Sequence, residues 1–245
     1  MNPLHYLERT MPTLAENLAL DEALLQELQA APSHAEGPGL LRIWEWTSYA
    51  VVLGAAGQLR ADIHVDACER DGVEIHRRSS GGGTVLLGPG CLMYSLVLRY
   101  DTAVELREVH SSYRWIMAKL AHAVEPWLPG VAPAGICDLA VGGRKVSGNA
   151  QQRKRNTCLH HGTLLYDFDL DLIPRYLKLP TDRPEYRGGR DHLDFVRNVP
   201  ATRSQLVAAL RAEWNAVEER REIPLDRVGA VLRERFELPD WVARR

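Results

Sequence analysis

Cysteine is scarce in this chain, and its few residues are poorly spaced for a metal site or a disulfide framework. The four cysteines, at positions 68, 91, 137 and 158, form no CxxC or CxxH pair of the kind that zinc sites use. A reducing cytosol suits such a set, so a cytoplasmic location is predicted. A charge excess is also lacking, because 30 lysines and arginines stand against 32 aspartates and glutamates. No whole-molecule field would therefore draw the chain to nucleic acid or to an anionic membrane.

Long apolar runs are absent as well. Residues 1–25 carry acidic residues and proline where a signal peptide needs an unbroken apolar stretch. The most apolar region, residues 84–98, is interrupted by Gly88-Pro89-Gly90 and is too short to span a bilayer. The chain of 245 residues has an ordinary globular composition, 45% apolar and 25% charged. We expect one domain and no membrane segment.

The order of the predicted elements indicates a mixed fold. Residues 14–30 have helical spacing, with Thr13 as N-cap and Glu16 three positions on. The segments LLRIWEW and AVVLG, which begin at Leu40 and Ala50, predict two neighbouring strands in a hairpin. Further strands are predicted at 73–77, at 92–98 and on both sides of Gly142-Gly143, and further helices at 62–71, 103–125, 169–178, 202–219 and 225–235. Strand clusters separated by helices favour an α+β class over a doubly wound sheet.

Three consecutive glycines follow the predicted strand at residues 73–77. The segment reads Arg77-Arg78-Ser79-Ser80-Gly81-Gly82-Gly83-Thr84, so two cations and two hydroxyls adjoin residues without side chains. A carboxylate or phosphate can approach the backbone amides of such a turn closely. The pattern is neither a Walker loop, which ends in Gly-Lys-Ser/Thr, nor a dinucleotide fingerprint, because Leu86 occupies the third glycine position. A plain glycine-rich turn is the alternative interpretation.

A second candidate segment, DLAVGGRKVSGNA, spans residues 138–150. Strand alternation would place Lys145, Ser147 and Asn149 on one face, where an ammonium, a hydroxyl and an amide suit a phosphate or carboxylate. The alternative is an exposed edge strand with a solvated lysine.

Two adjacent histidines, His160 and His161, begin the third segment, HHGTLL. Adjacent residues of a strand point to opposite faces, so the pair cannot easily bind one metal and at most one histidine faces a site. For the preceding run Arg153-Lys154-Arg155, a solvated loop is expected.

Together these motifs resemble the lipoate-protein ligase family, which is grouped with biotin-protein ligases and lipoyl/octanoyl transferases. The resemblance covers residues 15 to about 200 and rests on RRxSGGG, GRKVSGNA, HHGTLL, the helix NLALDEALL and the strands RIWEW…VVLG. A biotin-protein ligase is the weaker match, because its GRGRxGR-type loop is missing. The resemblance implies an α+β fold like class II synthetase cores, with a mixed, largely antiparallel sheet flanked by helices.

The resemblance also implies a two-step reaction. Lipoate and ATP with Mg²⁺ give lipoyl-AMP and pyrophosphate, and a lysine of an apo lipoyl-domain protein then displaces AMP. Both steps need the negative charge on the α-phosphate neutralised and held in line. The implied partners are lipoate or octanoate and the lipoyl-domain acceptor, with neither nucleic acid nor a membrane. Acidic neighbours of the acceptor lysine would give Arg153-Lys154-Arg155 a docking role.

Site residues are carried over by position. Lys145 matches the family's essential lysine, a fixed point charge that contacts both the carboxylate and the phosphate. Asp138 matches a position near Mg²⁺ or the nucleotide, and His161 is a further candidate. The implied nucleotide contacts are Arg78, Gly83, Thr84, Val85 and Leu86; the implied holders of the acyl carboxyl end are Gly81 and Gly82; Ser147, Gly148 and Asn149 would line the same pocket.

Three departures leave the branch of the family open. Leu87 stands where many ligases carry histidine, and the following Gly88-Pro89-Gly90 is closer to the octanoyltransferase branch. Residues 1–245 are expected to form a single ligase catalytic domain without the C-terminal accessory domain of many bacterial ligases; the alternatives are a separate accessory subunit or no lipoate activation. Cys158 lies three residues before His161, where octanoyltransferases carry an acyl-accepting thiol.

Three hypotheses follow. The first is an ATP-dependent lipoate-protein ligase, and the second is an octanoyl or lipoyl transferase that uses Cys158, or else Cys137, without ATP. Against both thiols stands the commoner buried structural cysteine. The third hypothesis is a non-catalytic lipoyl-binding subunit. For any of them the acyl chain needs an apolar tunnel, for which Val85, Leu96 and the tryptophans of RIWEW are candidates.

Overall fold

The computed structural model describes residues 3–31, 39–238 and 240–244. In these ranges the strands are, in chain order, β1 (Leu4–Glu8), β2 (Leu40–Trp44), β3 (Ala50–Leu53), β4 (Glu74–Arg77), β5 (Val85–Leu87), β6 (Cys91–Arg99), β7 (Ala132–Ala134), β8 (Asp138–Val141), β9 (Arg144–Arg153), β10 (Thr157–Leu165) and β11 (Ala216–Glu219). The α-helices are α1 (Leu14–Ala30), α2 (Leu59–Asp62), α3 (Val65–Asp71), α4 (Val109–Val124), α5 (Leu172–Tyr176), α6 (His192–Phe195), α7 (Arg203–Glu213), α8 (Leu225–Val231) and α9 (Asp240–Ala243).

Eight strands form the main sheet, in the order β11-β1-β2-β6-β10-β9-β8-β7. Strand β1 runs parallel to both β11 and β2, and each of the other neighbouring pairs is antiparallel. The predicted mixed, largely antiparallel sheet is therefore confirmed. The central strand β6 is buried along its whole length, which explains its continuous apolar sequence.

Alternation along β6 divides the core into two layers. Leu92, Leu96 and Leu98 belong to a cluster with α4 and α7, whereas Val97 joins the cluster that contains α1 and α8. The main sheet is thus covered by helices on both faces, α1 and α8 on one and α4 and α7 on the other. Alternate side chains of β6 and β10 therefore point to opposite faces of the main sheet.

The start of α1 follows the predicted capping box. The Thr13 side chain accepts a hydrogen bond from the Glu16 amide at 3.2 Å, and the Glu16 carboxylate accepts from the Thr13 amide at 2.8 Å. This cap fixes the direction of α1, whose buried face includes Leu18 and Asp21.

The predicted hairpin between residues 40 and 54 is wrong. Strand β2 pairs with β1 and β6 in the main sheet, while β3 lies in a second sheet of order β4-β3-β5. The segment 45–49 is not a hairpin turn. It connects β2 in the main sheet to β3 in the second sheet. The second sheet brings the end of β4 and the start of β5 together, so the glycine turn that joins them faces the main sheet.

The predicted helix at 202–219 ends early, at Glu213. Trp214 is fully buried at its end and Asn215 adopts a left-handed conformation with φ 47°, which stops the helix. The remaining residues form β11, an edge strand parallel to β1. Among the described residues, no helix is long and apolar enough to cross a membrane.

Candidate functional site

A cavity of about 120 Å³ lies between α1, the main sheet and the segment that follows the glycine turn. One part of its lining is apolar: Leu18, Trp44, Val52, Val85, Leu87 and Met93. The polar part comprises Asp21, Arg78, Thr84, Tyr94, Ser95, Cys137, Asp138, Lys145, Asn149, His161 and Thr163. An apolar pocket with a few convergent polar groups is the usual form of a small-molecule site.

Lys145 brings a positive charge to the polar part of the cavity. Its Nζ lies 2.7 Å from Oδ1 of the buried Asp138, and its side chain is 28% exposed. A Cβ added at Gly148 would stand only 2.7 Å from the same Nζ, so the absence of a side chain at position 148 gives the ammonium its place. The interpretation of Lys145 as a solvated edge lysine is therefore wrong.

A β-bulge alters the predicted alternation of this strand. The register of β9 against β8 shifts between Leu139 and Ala140, opposite Ser147 and Lys145. As a result Ser147 and Asn149 hydrogen-bond to each other, while the Lys145 ammonium lies against Gly148 and Asp138. The predicted single polar face is therefore confirmed only in part, because Lys145 and Asn149 line the cavity and Ser147 does not.

The Asp138 carboxylate has a second partner. The hydroxyl of Tyr186 donates to its Oδ2 at 2.7 Å, and burial raises the pKa of Tyr186 well above its usual value, so the phenol keeps its proton. Both carboxylate oxygens are therefore engaged. Across residues 3–31, 39–238 and 240–244, no three His, Cys, Asp or Glu side chains are grouped to hold a metal ion. A Mg²⁺ near Asp138 would need most of its ligands from bound phosphates and water.

Arg78 organises the glycine turn from within. Its guanidinium is buried and donates to the carbonyls of Gly81, at 2.6 Å, and Gly83, at 2.9 Å. A Cβ added at Gly54 would stand 1.9 Å from the Gly82 carbonyl oxygen, so the turn also packs directly on bare backbone. Burial lowers the pKa of Arg78 to about 10, which leaves it charged at neutral pH. The structure thus gives Arg78 a supporting role in the turn.

Arg77 binds the same region to a distant part of the chain. Its guanidinium donates to the carbonyls of Gly54, at 2.9 Å, and Gly57, at 2.8 Å, and on its other side to Val242, at 2.8 Å, and Arg244. The indole of Trp241 donates back to the Arg77 carbonyl at 2.7 Å. Residues 241–244 therefore hold the strand from which the glycine turn leaves.

A charged network closes the cavity beside α1. The buried Asp21 accepts from Arg42 at 2.5 Å and from Ser95 at 2.7 Å, and lies 3.4 Å from Nδ1 of His161. Nε2 of His161 is 2.6 Å from Ser80 Oγ, so the network reaches the residue before the glycine turn. Although burial opposes it, the Arg42 charge and His161 hold the pKa of Asp21 below its usual value.

His160 and Cys158 lie on the other face of the sheet, as parity on β10 requires. His160 is fully buried between Tyr94 and Tyr113, and burial lowers its pKa to about 3. Cys158 is fully buried in the cluster that contains α4, and burial raises its pKa to about 11. The prediction that at most one histidine faces the site is confirmed. The assignment of Cys158 as the acyl-accepting thiol is contradicted. Cys158 and His161 are three positions apart on β10, so their side chains point to opposite faces of the sheet.

Cys137 is the cavity thiol. It is partly exposed, and its carbonyl accepts from the Asn149 amide at 2.8 Å. Burial and the neighbouring Asp138 raise the pKa of its thiol, against the opposing effect of Lys145. At neutral pH this cysteine is therefore mainly the thiol rather than the thiolate.

Thiol alkylation tests this arrangement. We expect iodoacetamide to modify Cys137 before the buried Cys68, Cys91 and Cys158, at a rate that still rises as the pH passes 9, because the thiolate fraction grows there. Peptide mass spectrometry over a pH series gives the rate for each cysteine. A Cys137 rate that is already constant at pH 7 would contradict the raised pKa.

The structure brings most of the sequence-based candidates together but not all. Cavity-lining candidates are Arg78, Gly83, Thr84, Val85, Asp138, Lys145, Gly148, Asn149 and His161. Gly81 and Gly82 belong to the glycine turn but do not line the cavity. Leu86, Leu96 and Ser147 are buried and do not line it either. Of the tryptophans of RIWEW, Trp44 lines the cavity and Trp46 does not. Asp21 and Tyr186 were missed; an acidic residue inside the apolar stripe of α1 was the available signal for Asp21, and Tyr186 gave none.

One of the three cations in the basic run at 153–155 is held by the fold. Arg153 donates to the carbonyl of Leu106 at 2.6 Å and stacks on Tyr100 at 4.5 Å, so it anchors the loop before α4. Its guanidinium is therefore committed to the fold, whereas Lys154 and Arg155 are exposed, as expected for a solvated loop.

The sequence also matches a family model and several named proteins. The family model described as lipoyl protein ligase A/B catalytic domain matches residues 13–208. Octanoyltransferase LipM of Symbiobacterium thermophilum is 31% identical over 194 residues, 70% of this chain and 68% of that protein. A Mycoplasma pneumoniae protein named probable lipoate-protein ligase A is 30% identical over 176 residues, 70% of this chain and 48% of that protein.

A solved structure supports the fold. A bi-partite lipoate protein ligase from Thermoplasma acidophilum superposes with a TM-score of 0.80 at 20% identity, over 98% of this chain and 96% of that chain. At this identity the likeness concerns the fold alone, and it confirms the predicted class II synthetase-like α+β architecture.

Proposed function

Because this chain belongs to the lipoyl protein ligase A/B catalytic-domain family, we propose that it is an ATP-dependent lipoate-protein ligase. As a member of that family it is an enzyme of lipoyl or octanoyl transfer. The proposed reaction activates the carboxyl group of lipoate as lipoyl-AMP and passes the lipoyl group to a lysine of an apo lipoyl-domain protein. The observation that carries the proposal is the Lys145 ammonium held beside an apolar cavity by Asp138 and the bare backbone of Gly148.

The cavity provides a place for a medium-length acyl chain. His161 pairs with Ala150, and the Lys145 ammonium lies against Gly148, two residues along β9, so both side chains reach the same cavity. The apolar side chains of Trp44, Val85 and Met93 line it. An acyl chain that lies in this space would present its carboxylate to Lys145.

In the first proposed step a lipoate carboxylate oxygen forms a bond to the α-phosphorus of ATP. The bond from that phosphorus to the bridging oxygen breaks, and pyrophosphate leaves; a Mg²⁺ held near Asp138 by the phosphates would neutralise part of its charge. Lys145 stabilises the negative charge that is shared between the carboxylate and the phosphoryl oxygens. Arg78 stabilises the shape of the glycine turn. Because the turn has no side chains, the phosphates can approach its backbone closely.

In the second proposed step the neutral amine of the acceptor lysine attacks the carbonyl carbon of lipoyl-AMP. A carbon–nitrogen bond forms, the carbon–oxygen bond to phosphate breaks, and AMP leaves. The proton released by the amine passes to solvent or to the departing phosphate. Lys145 again neutralises the phosphate, which makes AMP a better leaving group.

The state of the thiols favours an adenylate over an enzyme thioester. Cys158 lies on the wrong face of the sheet, and the pKa of Cys137 is raised by burial and by Asp138. A nucleophilic cysteine generally has a lowered pKa beside a cation or a base. Activation by an external nucleotide needs no such thiol.

A second candidate function rests on the position of Cys137. This residue lines the cavity together with Lys145, and the chain resembles octanoyltransferases over 70% of its length. In this alternative an octanoyl group passes from a carrier-protein thioester to the Cys137 sulfur, and then to the acceptor lysine without ATP.

The two candidates give opposite results in one set of reactions. We expect lipoate-dependent ATP–pyrophosphate exchange, and an acyl-lysine product on an apo lipoyl domain from lipoate with ATP but not from octanoyl carrier protein alone. Cys137→Ser and the control Cys158→Ser should both retain ligation within about threefold, since neither thiol takes part. Intact-mass spectrometry of the acceptor provides the readout.

Other outcomes are equally clear. An ATP-independent product from octanoyl carrier protein that disappears in Cys137→Ser would replace the ligase by the transferase. Tight lipoate binding with no product under any condition would favour the non-catalytic subunit. Product that forms only after a cell extract is added would indicate a separate accessory subunit.

A further inference from the structure

A second, larger concavity lies outside the acyl cavity. It has a volume of about 520 Å³ and is formed by α2, α3 and α5. Its apolar lining comprises Ile63, Val65, Ala67 and Pro174. Its basic rim comprises Arg60, His64, Arg70, Arg175 and Lys178, with Asp66 as the acidic lining residue. We call this feature the basic groove.

The cations of the basic groove point outward rather than converge on one point. Arg60 and Arg70 are exposed, and Arg175 is 53% exposed although its Nε lies 2.7 Å from Asp71. Lys178 donates to the Arg60 carbonyl at 2.6 Å, which fixes α5 to α2. A small anion would need convergent, buried donors. An apolar floor below a charged rim is instead the usual composition of a protein interface.

The basic groove contrasts with the rest of the molecule. The whole chain has a formal net charge of −2, whereas the groove lining has four arginines and lysines against Asp66 and against Asp71, which pairs with Arg175. Such a local concentration of positive charge attracts an acidic surface and speeds its association at low ionic strength.

The basic groove adjoins the acyl cavity at Thr84 and Asp62. Thr84, which lines the cavity, donates from Oγ1 to Asp62 Oδ2 at 2.9 Å. The carbonyl of Asp62 accepts from the Lys178 amide at 2.8 Å, on the side of the groove. A protein seated in the groove would therefore lie next to the wall that follows the glycine turn, within reach of the site that modifies its lysine.

We propose that the basic groove docks the protein acceptor by an acidic, partly apolar surface next to its target lysine. The proposal rests on the proposed transfer to a protein lysine, and it moves the docking role away from residues 153–155. Acidic side chains of the acceptor would meet Arg60, Arg70 and Arg175, while an apolar side chain would contact Val65 and Pro174. The groove thus selects acceptors by charge before the acyl group is transferred.

The test is the double variant Arg60→Glu/Arg70→Glu, with Arg114→Glu/Arg227→Glu as the control. All four residues are exposed, and both variants change the net charge equally. We expect the groove variant to raise the KM for the acceptor about tenfold with kcat and the KM for lipoate unchanged, because only association is affected. The wild-type kcat/KM should fall as NaCl is added, and the groove variant should depend less on salt. The control variant should behave as wild type.

Binding without chemistry separates this proposal from the proposed function. Isothermal titration of the apo lipoyl domain into each protein without ATP should show weaker binding for the groove variant only. Equal binding and equal KM in both variants would overturn the groove as the docking surface, even if ligation succeeds. A raised KM for ATP with an unchanged KM for the acceptor would also overturn it and assign the groove to a nucleotide. Weaker binding of the groove variant would support the docking surface even if no ligation were observed.

Discussion

Replacing Lys145 by alanine is expected to lower acyl transfer by about a thousandfold and to leave the fold intact. The change removes the ammonium that would neutralise the carboxylate and phosphate, a loss that is typically worth two to three orders of magnitude in rate. The fold should survive because Lys145 is partly exposed and Asp138 keeps the hydrogen bond from Tyr186. Single-turnover formation of acyl-lysine product gives the rate, and thermal unfolding gives the stability.

Lys154→Ala provides the matched control for this prediction. Lys154 lies in the loop of the same β9–β10 hairpin and is exposed, so its replacement removes an equal charge without changing the cavity. It should leave both rate and stability unchanged. A Lys145→Ala protein that loses stability in proportion to activity would show that the ion pair with Asp138 is structural.

Asp21→Ala is expected to lower the free energy of unfolding by about 3–5 kcal/mol. Arg42 is fully buried, and Asp21 is its ion-pair partner, at 2.5 Å. Removal of one member of a buried ion pair leaves an uncompensated charge in the interior, which accounts for a loss of this size. Urea denaturation followed by tryptophan fluorescence measures it, with the slope compared between proteins to check that the unfolding remains two-state.

The control is Asp101→Ala, whose carboxylate is 66% exposed and 3.7 Å from Arg99. Exposed ion pairs contribute little, so its effect should stay below about 1 kcal/mol. Asp21→Asn, which keeps the shape but removes the charge, should lie between the two. Equal losses from the buried and the exposed aspartate would contradict the assignment of Arg42 as a charge that depends on Asp21.

The sequence was most informative where one pattern had one physical cause. The capping box at Thr13 and Glu16, the buried strand β6 and the glycine turn after β4 follow from short-range rules, and the structure confirms them. The family resemblance placed Lys145 and Asp138 in one site although simple alternation could not. Short-range rules and motif positions together therefore predicted which charged residues meet at the cavity.

What the sequence missed depends on contacts between distant residues. The strand pattern at 40–54 is the same for a hairpin as for two sheets, and only the pairing of β2 with β6 decides between them. A bulge opposite Leu139 shifts the register at Lys145, and the face of Cys158 follows from the register of β10. Arg77 and Arg78 had the appearance of ligand cations, but carbonyl groups of the turn and of residues 241–244 occupy them.

The hydrogen bonds from Arg77 to the C-terminal residues 242 and 244 have a consequence for the newly made protein. The guanidinium joins Gly54 and Gly57 to Val242 and Arg244, which lie 165 and 167 residues further along the chain than Arg77. A contact of such sequence separation forms late, because the loop it closes must first lose its conformational freedom. On the ribosome, the strand before the glycine turn cannot acquire its final support until residues 241–244 have emerged. The glycine turn is therefore unfinished during synthesis and reaches its final shape only afterwards.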